Sequence, residues 1–318
     1  MDRGISIIIC CYNSAWIIQR TLDALKAQRF SHPIPYEIVL VDNCCTDDTV
    51  AVARDTMKEN DINFRIVREN NPGLANARRK GIKEVKYEYV LYCDDDNLLC
   101  PDYVATMVNI MDNNSNVGAV GGKGMAEFQT EPAEIVKKNI GCYAVGSQLN
   151  HKDWLFGAGL ASRTELVREV YSNQKCYLIG RKGKKLLSGD DSELVMSMVL
   201  RGYQVFATDD VSYIHVLKAN RLTEAYFHKL YEGLVLPLPV FEVFRSVIND
   251  RPFKNILDNY KTCIKAILGS YIHFQRADAK KTRKNYLQQF HLYNYWGIYR
   301  LWRIYEEWSL IKQNYKSR

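Results

Sequence analysis

Four apolar runs within the first hundred residues, each followed by a polar exit and then a helical stretch, constrain this chain's fold more than any other feature. They read "ISIIICC" (5–11), "YEIVLVD" (36–42), "NFRIVRE" (63–69) and "YEYVLYC" (87–93). The first is apolar without alternation, the pattern of a strand buried on both faces. Between the runs, Ile18, Leu22 and Leu25 fall on one helical face, as do Val50, Ala53 and Met57. "NNPGLANARRKGI" supplies a Pro-Gly turn and the start of a third helix, and Asn13 or Ser14 is placed to cap the first. Strands and helices alternating at this spacing predict βαβ units, a mostly parallel sheet and an α/β fold.

Ligands of such sheets collect beyond the carboxyl ends of the strands. The polar clusters sit at those ends: Cys11-Tyr12-Asn13, Asp42-Asn43, Asn70-Asn71 and Asp94 to Asp96. Four polar exits on one edge predict a single site. Three adjacent aspartates after an apolar run require either a solvated turn or a positive partner. On an extended segment, Asp94 and Asp96 point to the same side and Asp95 away from it. The pair could then share a divalent cation, and hard carboxylate oxygens suit Mg²⁺ or Mn²⁺ bound together with substrate phosphates. No Walker-type Gly-rich loop accompanies them, which argues against a P-loop NTPase.

Beyond residue 104 the pattern loosens. "NVGAVGGKGMAEF" reads as a strand with glycines, and "DWLFGAGLASRTEL" as a Gly-interrupted turn leading into a helix. "LLSGDDSELVMSMVLRGYQVF" reads as loop, helix and strand, with Leu194 and Met198 on one helical face. Helical patterns dominate from Leu222 onward, broken by "LPLP" at 236–239. A boundary near residue 220 therefore divides a domain 1–220 from a helical region 221–318.

In order, "SIIICCYNSA", "EIVLVDNCCTDDT", "NPGLANARRKGI" and "YVLYCDDDNLLCPDYV" resemble the four signature blocks of the family 2 glycosyltransferases. More thinly, "WLFGAGLASRTEL" is similar to the family's acceptor-side Gly-x-Gly segment and "SGDDSELVMSMVLRGY" to the block carrying its catalytic base. The resemblance covers residues 4–217. It implies the GT-A fold, a Rossmann-like sheet flanked by helices, with residues 1–104 binding a nucleotide sugar and 105–220 the acceptor. It also implies an inverting, metal-dependent transfer from a nucleoside-diphosphate sugar, here a UDP-sugar, to an acceptor hydroxyl.

On that resemblance Cys11, Tyr12, Asn13, Asp42, Asn43, Arg78, Asp94 and Asp95 fall on the nucleotide-sugar side. Asp94 and Asp96 match the family's Asp-x-Asp, with His215 near the metal or the diphosphate. Asp191 matches the catalytic base, a carboxylate opposite the leaving diphosphate. Asp190 stands where the family has Glu, and Cys10-Cys11 where it has Pro-Thr or Pro-Ala. Trp154, Gly157 and Gly159 fall on the acceptor side, where Trp154 and Phe156 are placed to stack on a sugar ring. Plainer readings stand beside these: a helix cap for Asp190 or Asp191, a solvated Arg78, a structural His215. A sugar-1-phosphate nucleotidyltransferase is the rival enzyme, although "CCYNSA" occupies the place of its Gly-rich loop. A non-catalytic nucleotide- or saccharide-binding protein is the rival of another class.

Of 318 residues, 47% are hydrophobic and 25% charged, the composition of a folded domain or two. From Arg276 to Arg318 ten Lys and Arg face three Asp and Glu, which accounts for the whole net charge of +7. Tyr295, Tyr299, Trp302 and Tyr305 recur there at helical spacing beside Arg300 and Arg303. Such a region suits a bilayer interface, or a packed bundle with a basic face. No nucleic-acid motif accompanies it. Nine cysteines without a CxxC pair predict reduced thiols in a cytoplasmic protein. The longest uncharged stretch, residues 4–19, is broken by Asn13 and Ser14 and falls short of the roughly 18–20 apolar residues of a membrane span. The expected setting is the cytoplasm, at the membrane's inner face, with a saccharide or lipid-linked saccharide as acceptor.

Overall fold

A computed structural model describes residues 1–178, 180–181, 186–272 and 279–316. The chain divides into two compact units, one of Met1–Val199 with Tyr203–Leu234 and one of Leu200–Gly202 with Val235–Arg318.

In the first unit the four apolar runs become strands β1 (Asp2–Cys11), β2 (Tyr36–Asp42), β3 (Asn63–Arg68) and β4 (Tyr87–Asp94). Helices α1 (Ile18–Lys26), α2 (Thr49–Met57) and α3 (Leu74–Glu84) connect them. After β4 come β5 (Asn97–Leu99), α4 (Tyr103–Asn113), β6 (Val117–Phe128), α5 (Glu134–Lys138) and β7 (Leu160–Arg163). α6 (Thr164–Asn173), α7 (Asp190–Leu200), β8 (Gln204–Leu217) and α8 (Glu224–Val235) follow. The described strands form one sheet of eight in the order β3-β2-β1-β4-β7-β6-β8-β5. β3, β2, β1 and β4 are mutually parallel. β7 and β5 run antiparallel to their neighbours, so the sheet is mixed beyond β4.

The sheet is covered on both faces, and period-two alternation decides which residue packs where. Ile5, Ile7, Ile9 and Cys11 join Ile18, Leu22, Leu25, Ala53, Met57, Tyr103 and Met107 in one core. Ile8 points the other way, with Ala77 and Ile82 of α3, Leu166 and Val170 of α6, and Leu194 and Met198 of α7. Each wholly buried isoleucine contributes about 1.5–3 kcal/mol, so the central strand is a large share of the fold's stability. Where α3 crosses β1, a Cβ at Gly81 would stand 2.6 Å from Ile8 Cγ2. Only glycine permits that approach.

The boundary differs from the expected 220. Leu222, Phe227 and Leu230 bury themselves with Val136, Tyr143 and Leu217, which draws α8 into the first unit. The expected cap on α1 is also absent. Ile17 holds the cap position without a side-chain bond, and Ser14 contributes its backbone carbonyl to Ile17 and Ile18 at 3.0 and 2.9 Å.

The second unit contains α9 (Leu238–Ile248), α10 (Lys254–Ile272), α11 (Ala279–Trp296) and α12 (Ile298–Lys316). Phe244 meets Trp308 edge to face at 5.8 Å, and Tyr260 stacks on Phe290 at 5.4 Å. Lys312 of α12 is buried, and its Nζ donates to the Val247 and Ile248 carbonyls that end α9, each at 2.8 Å. It therefore caps α9 from another helix. Gly297, at φ 75°, breaks the expected aromatic stripe, leaving Tyr295 on α11 and Tyr299, Trp302 and Tyr305 on α12. Arg276 and Arg318 of the basic stretch lie outside the described residues. Among the described residues no helix is long and apolar enough to cross a membrane.

Candidate active site

Parallel register brings the strand exits to one level. Cys11 pairs with Asp42, Cys10 with Asp94, and Asp42 with Arg68. A sheet built this way presents its carboxylates on one edge, as the spacing implied.

The three aspartates are not arranged as an extended segment would place them. β4 ends at Asp94, residues 95 and 96 form a turn, and β5 leaves to pair with β8, setting Asn97 opposite His215. Asp94 and Asp96 consequently face different cations. Asp94 Oδ1 lies 3.9 Å from Arg78 Nη2. Asp96 Oδ2 accepts from Arg221 Nη1 at 2.8 Å, and its Oδ1 is 3.5 Å from His215 Nε2. Asp95 is not the loose middle residue either. Its carboxylate accepts from Ser14 Oγ and, at 3.3 Å, from the Tyr12 N–H, tying the turn to the exit of β1. Burial, with Asp96 and Asp94 beside it, pushes the Asp95 carboxyl up to about 7. Asp96 is buried too, yet His215 and Arg221 hold its carboxyl well below the usual range.

His215 is set for a role at this turn. Its Nδ1 lies 2.7 Å from the Tyr143 carbonyl, which can only accept, so Nδ1 carries a proton and Nε2 is directed at Asp96. A ring fixed through a carbonyl in this way is the usual setting of a metal-ligating histidine. Among the described residues no three His, Cys, Asp or Glu side chains converge as a ready cation cage. The residues present do fit a divalent ion held by Asp96 and His215, its remaining positions left to phosphate and water, with Asp94 nearby in sequence.

A second cluster forms around Arg78, which is buried, at 4% exposure, rather than solvated. Its Nη1 donates to Asp190 Oδ2 at 2.8 Å, and its guanidinium lies over the Tyr92 ring at 5.4 Å. Arg78 thus bridges Asp190, which opens α7, to Asp94, which ends β4. Burial and the neighbouring Asp191 charge raise the Asp190 carboxyl, with Arg78 opposing them. Asp191 accepts from the Gly157 N–H at 2.9 Å through Oδ2 and from the Ser192 N–H at 2.8 Å through Oδ1. Asp191 thus ties the first turn of α7 to the Gly157 loop. A Cβ on Gly157 would overlap the Arg78 guanidinium and stand 2.9 Å from Asp191 Oδ2, so any larger residue there must displace one of these two side chains.

The other expected residues divide. Tyr12 is 61% exposed at the β1 exit, with its ring free to meet a ligand. The Cys11 side chain lies wholly in the core, and its carbonyl accepts from Asn43 N at 3.0 Å, so only backbone faces the exit. Asn13, at φ 56°, spends its amide on Thr46, accepting from N at 2.8 Å and donating to Oγ1 at 3.2 Å. Asn43 clamps the next loop, donating to the Glu69 and Asn71 carbonyls and accepting from Gly73 N. Asp42 accepts from Cys45 N at 2.8 Å through Oδ1, while its Oδ2 lies 3.6 Å from Arg68. Trp154 stacks on His151 at 3.7 Å with Phe156 edge-on at 5.7 Å, an aromatic group already packed upon itself. Gly159 adopts φ 68°, and its carbonyl accepts from Tyr103 Oη at 2.8 Å.

Arg221 and His151 escaped the sequence reading, and Ser14 entered it as a helix cap, not as the partner of Asp95. Arg221 follows His215 by six residues, but a lone arginine between a strand and a helix gives no signal. Its partnership exists only because β5 pairs with β8.

Residues 6–160 match the family model described as glycosyl transferase family 2. A poly-beta-1,6-N-acetyl-D-glucosamine synthase of Staphylococcus epidermidis is 33% identical over 120 residues, 38% of this chain and 28% of that protein. The same-named enzyme of Staphylococcus aureus strain COL is 30% identical over the same shares. The chain therefore matches less than a third of the length of these curated relatives. Among solved structures, S. aureus TarS 1-349 in complex with UDP-GlcNAc superposes with a TM-score of 0.53 at 14% identity, covering 99% of this chain and 92% of that one. The mannosyltransferase PcManGT from Pyrobaculum calidifontis, in complex with GDP-Man and Mn²⁺, gives 0.52 at 18% identity over 100% and 86%. At such identities the two structures establish a shared fold.

Proposed function

We propose that this chain, whose residues 6–160 match the glycosyl transferase family 2 model, transfers a sugar from a nucleoside-diphosphate sugar to an acceptor hydroxyl with inversion. One observation carries the proposal: Arg78 joins Asp94, at the end of β4, to Asp190, and Asp191 next to it on α7 accepts from the Gly157 N–H. Two sets of carboxylates, one for the phosphates and one for the incoming hydroxyl, are thereby held in a single frame.

In this reading Asp191 takes the acceptor proton as the hydroxyl attacks the anomeric carbon from the face opposite the diphosphate. A base must come within roughly 2.6–3.2 Å of that hydroxyl. The N–H groups of Gly157 and Ser192 fix the carboxylate's orientation before the acceptor arrives. Arg78 keeps Asp190 paired. At the donor side Tyr12 and Asp42 would meet the nucleoside, and Asp96 and His215 would hold Mn²⁺ or Mg²⁺. When bound, the ion supplies Lewis-acid stabilisation of the charge on the departing diphosphate.

The curated relatives are N-acetylglucosamine polymer synthases and one structural neighbour binds UDP-GlcNAc, which favours a UDP-sugar donor and a growing saccharide, free or lipid-linked, as acceptor. The nine cysteines, all unpaired, suit a reducing compartment such as the cytoplasm. Exposed Tyr295 and Tyr299, with Arg300 and Arg303, suit attachment to an anionic membrane surface.

Turnover of UDP-GlcNAc with Mn²⁺, followed by UDP release, tests the chemistry. Asp191→Asn is expected to lower kcat by about 10²–10⁴-fold, and Asp96→Ala to abolish metal dependence. Unchanged turnover in both variants would refute the assignment.

A further inference from the structure

Asp96 already has a cation. Arg221 Nη1 lies 2.8 Å from its Oδ2, and the two side chains differ in exposure, 5% for Asp96 and 26% for Arg221. A carboxylate so buried needs a partner to remain ionised. The other oxygen faces His215 Nε2. Both oxygens that Asp96 would present to a divalent ion are therefore directed at nitrogens of this chain.

Arg221's backbone is anchored by several contacts and its head group by Asp96. Its carbonyl accepts from Tyr143 Oη at 2.9 Å, its N–H donates to Lys218 O at 2.8 Å, and the adjacent Leu222 is buried. Among the described residues, the guanidinium's hydrogen-bond partner is Asp96 alone. A guanidinium has five N–H donors in a planar fork, a geometry that matches phosphate oxygens as well as carboxylate.

We infer that Arg221 is an exchangeable counter-ion. It neutralises Asp96 in the donor-free protein, yields that carboxylate when a divalent cation arrives, and pairs instead with the diphosphate of the incoming nucleotide. This rests on the reading of the site as nucleotide-sugar dependent. A cation alone has to compete with Arg221 for Asp96. A cation accompanied by a diphosphate does not, because the phosphate gives the guanidinium a replacement partner. Metal and nucleotide must then bind with positive coupling, equal in both directions.

The test is a Mn²⁺ titration of the whole chain, free ion followed by electron paramagnetic resonance, without and with saturating UDP. In the wild type UDP is expected to tighten Mn²⁺ by about tenfold. Arg221→Gln should bind Mn²⁺ alone more tightly than the wild type, bind UDP more weakly, and lose most of the coupling. Arg221→Lys, which keeps the charge without the fork, should fall between. A merely structural role predicts weaker Mn²⁺ binding in the Gln variant, and that result, or unchanged affinity, overturns the inference. If Arg221→Gln melts below the assay temperature, the Lys variant decides, and full wild-type coupling in it counts against exchange. A wild-type chain that takes up neither Mn²⁺ nor UDP overturns the donor reading itself, and this inference with it.

Discussion

The site contains two arginine–carboxylate pairs of equal length that differ in their surroundings. Arg78 and Asp190 meet at 2.8 Å with side-chain exposures of 4% and 12%, whereas Arg221 and Asp96 meet at 2.8 Å with 26% and 5%. Arg78 is held by two carboxylates and an aromatic ring, and Arg221 by one carboxylate. An ion pair sealed on all sides is a fixture, because separating it strands two buried charges. One with an open side can exchange partners. Distance alone would have ranked the two alike.

The largest effect is expected from breaking the sealed pair. Arg78→Ala leaves Asp190 buried and uncompensated, and should lower the unfolding free energy by about 3–5 kcal/mol in urea titrations. A loss below 1 kcal/mol would show that Asp190 reaches water without its partner. Next comes Gly157→Ala, whose methyl must displace the Arg78 guanidinium or Asp191. It should cost about 1–3 kcal/mol and depress kcat more than KM, since the base is displaced while the nucleotide exits stay intact. Equal changes in kcat and KM would separate the loop from the base. The smallest loss should follow Arg221→Gln, about 1.5 kcal/mol, since His215 remains beside Asp96. Should this variant lose as much stability as Arg78→Ala, the contrast between the two pairs fails.

The sequence was readable where structure is local. β1, β2 and β4 showed as apolar runs because they are buried on both faces, β3 as a half-buried edge strand, and α1 and α2 showed through their periodic apolar faces. The strand-exit rule then located the site. In the second half of the sheet β6 and the start of β8 were legible, but β5, with three residues, and β7, with four, gave no run. Partnerships arising from that half were invisible in consequence: Arg221 with Asp96, His215 with Tyr143, Gly157 with Asp191. The aspartates misled for a related reason. Two carboxylates at i and i+2 share a side only while the chain stays extended, and the chain turns at Asp95 because Ser14 and the Tyr12 N–H capture that side chain. Asn43 illustrates the converse, a polar residue at a strand exit whose amide is spent on loop carbonyls.

The seat of Lys312 bears on how the charge of the last helices can be probed. Its ammonium closes the carbonyl end of α9, and Leu301, Ile304 and Trp308 on the same helix are buried. Cutting the chain before α11 would remove a keystone along with the positive charge, and any loss of membrane attachment would be confounded with collapse of the bundle. Charge reversal at exposed positions spares the keystone. Arg300→Glu with Arg303→Glu leaves the buried face intact and should reduce sedimentation with phosphatidylserine vesicles by about tenfold or more, while unchanged sedimentation would show that these arginines face elsewhere.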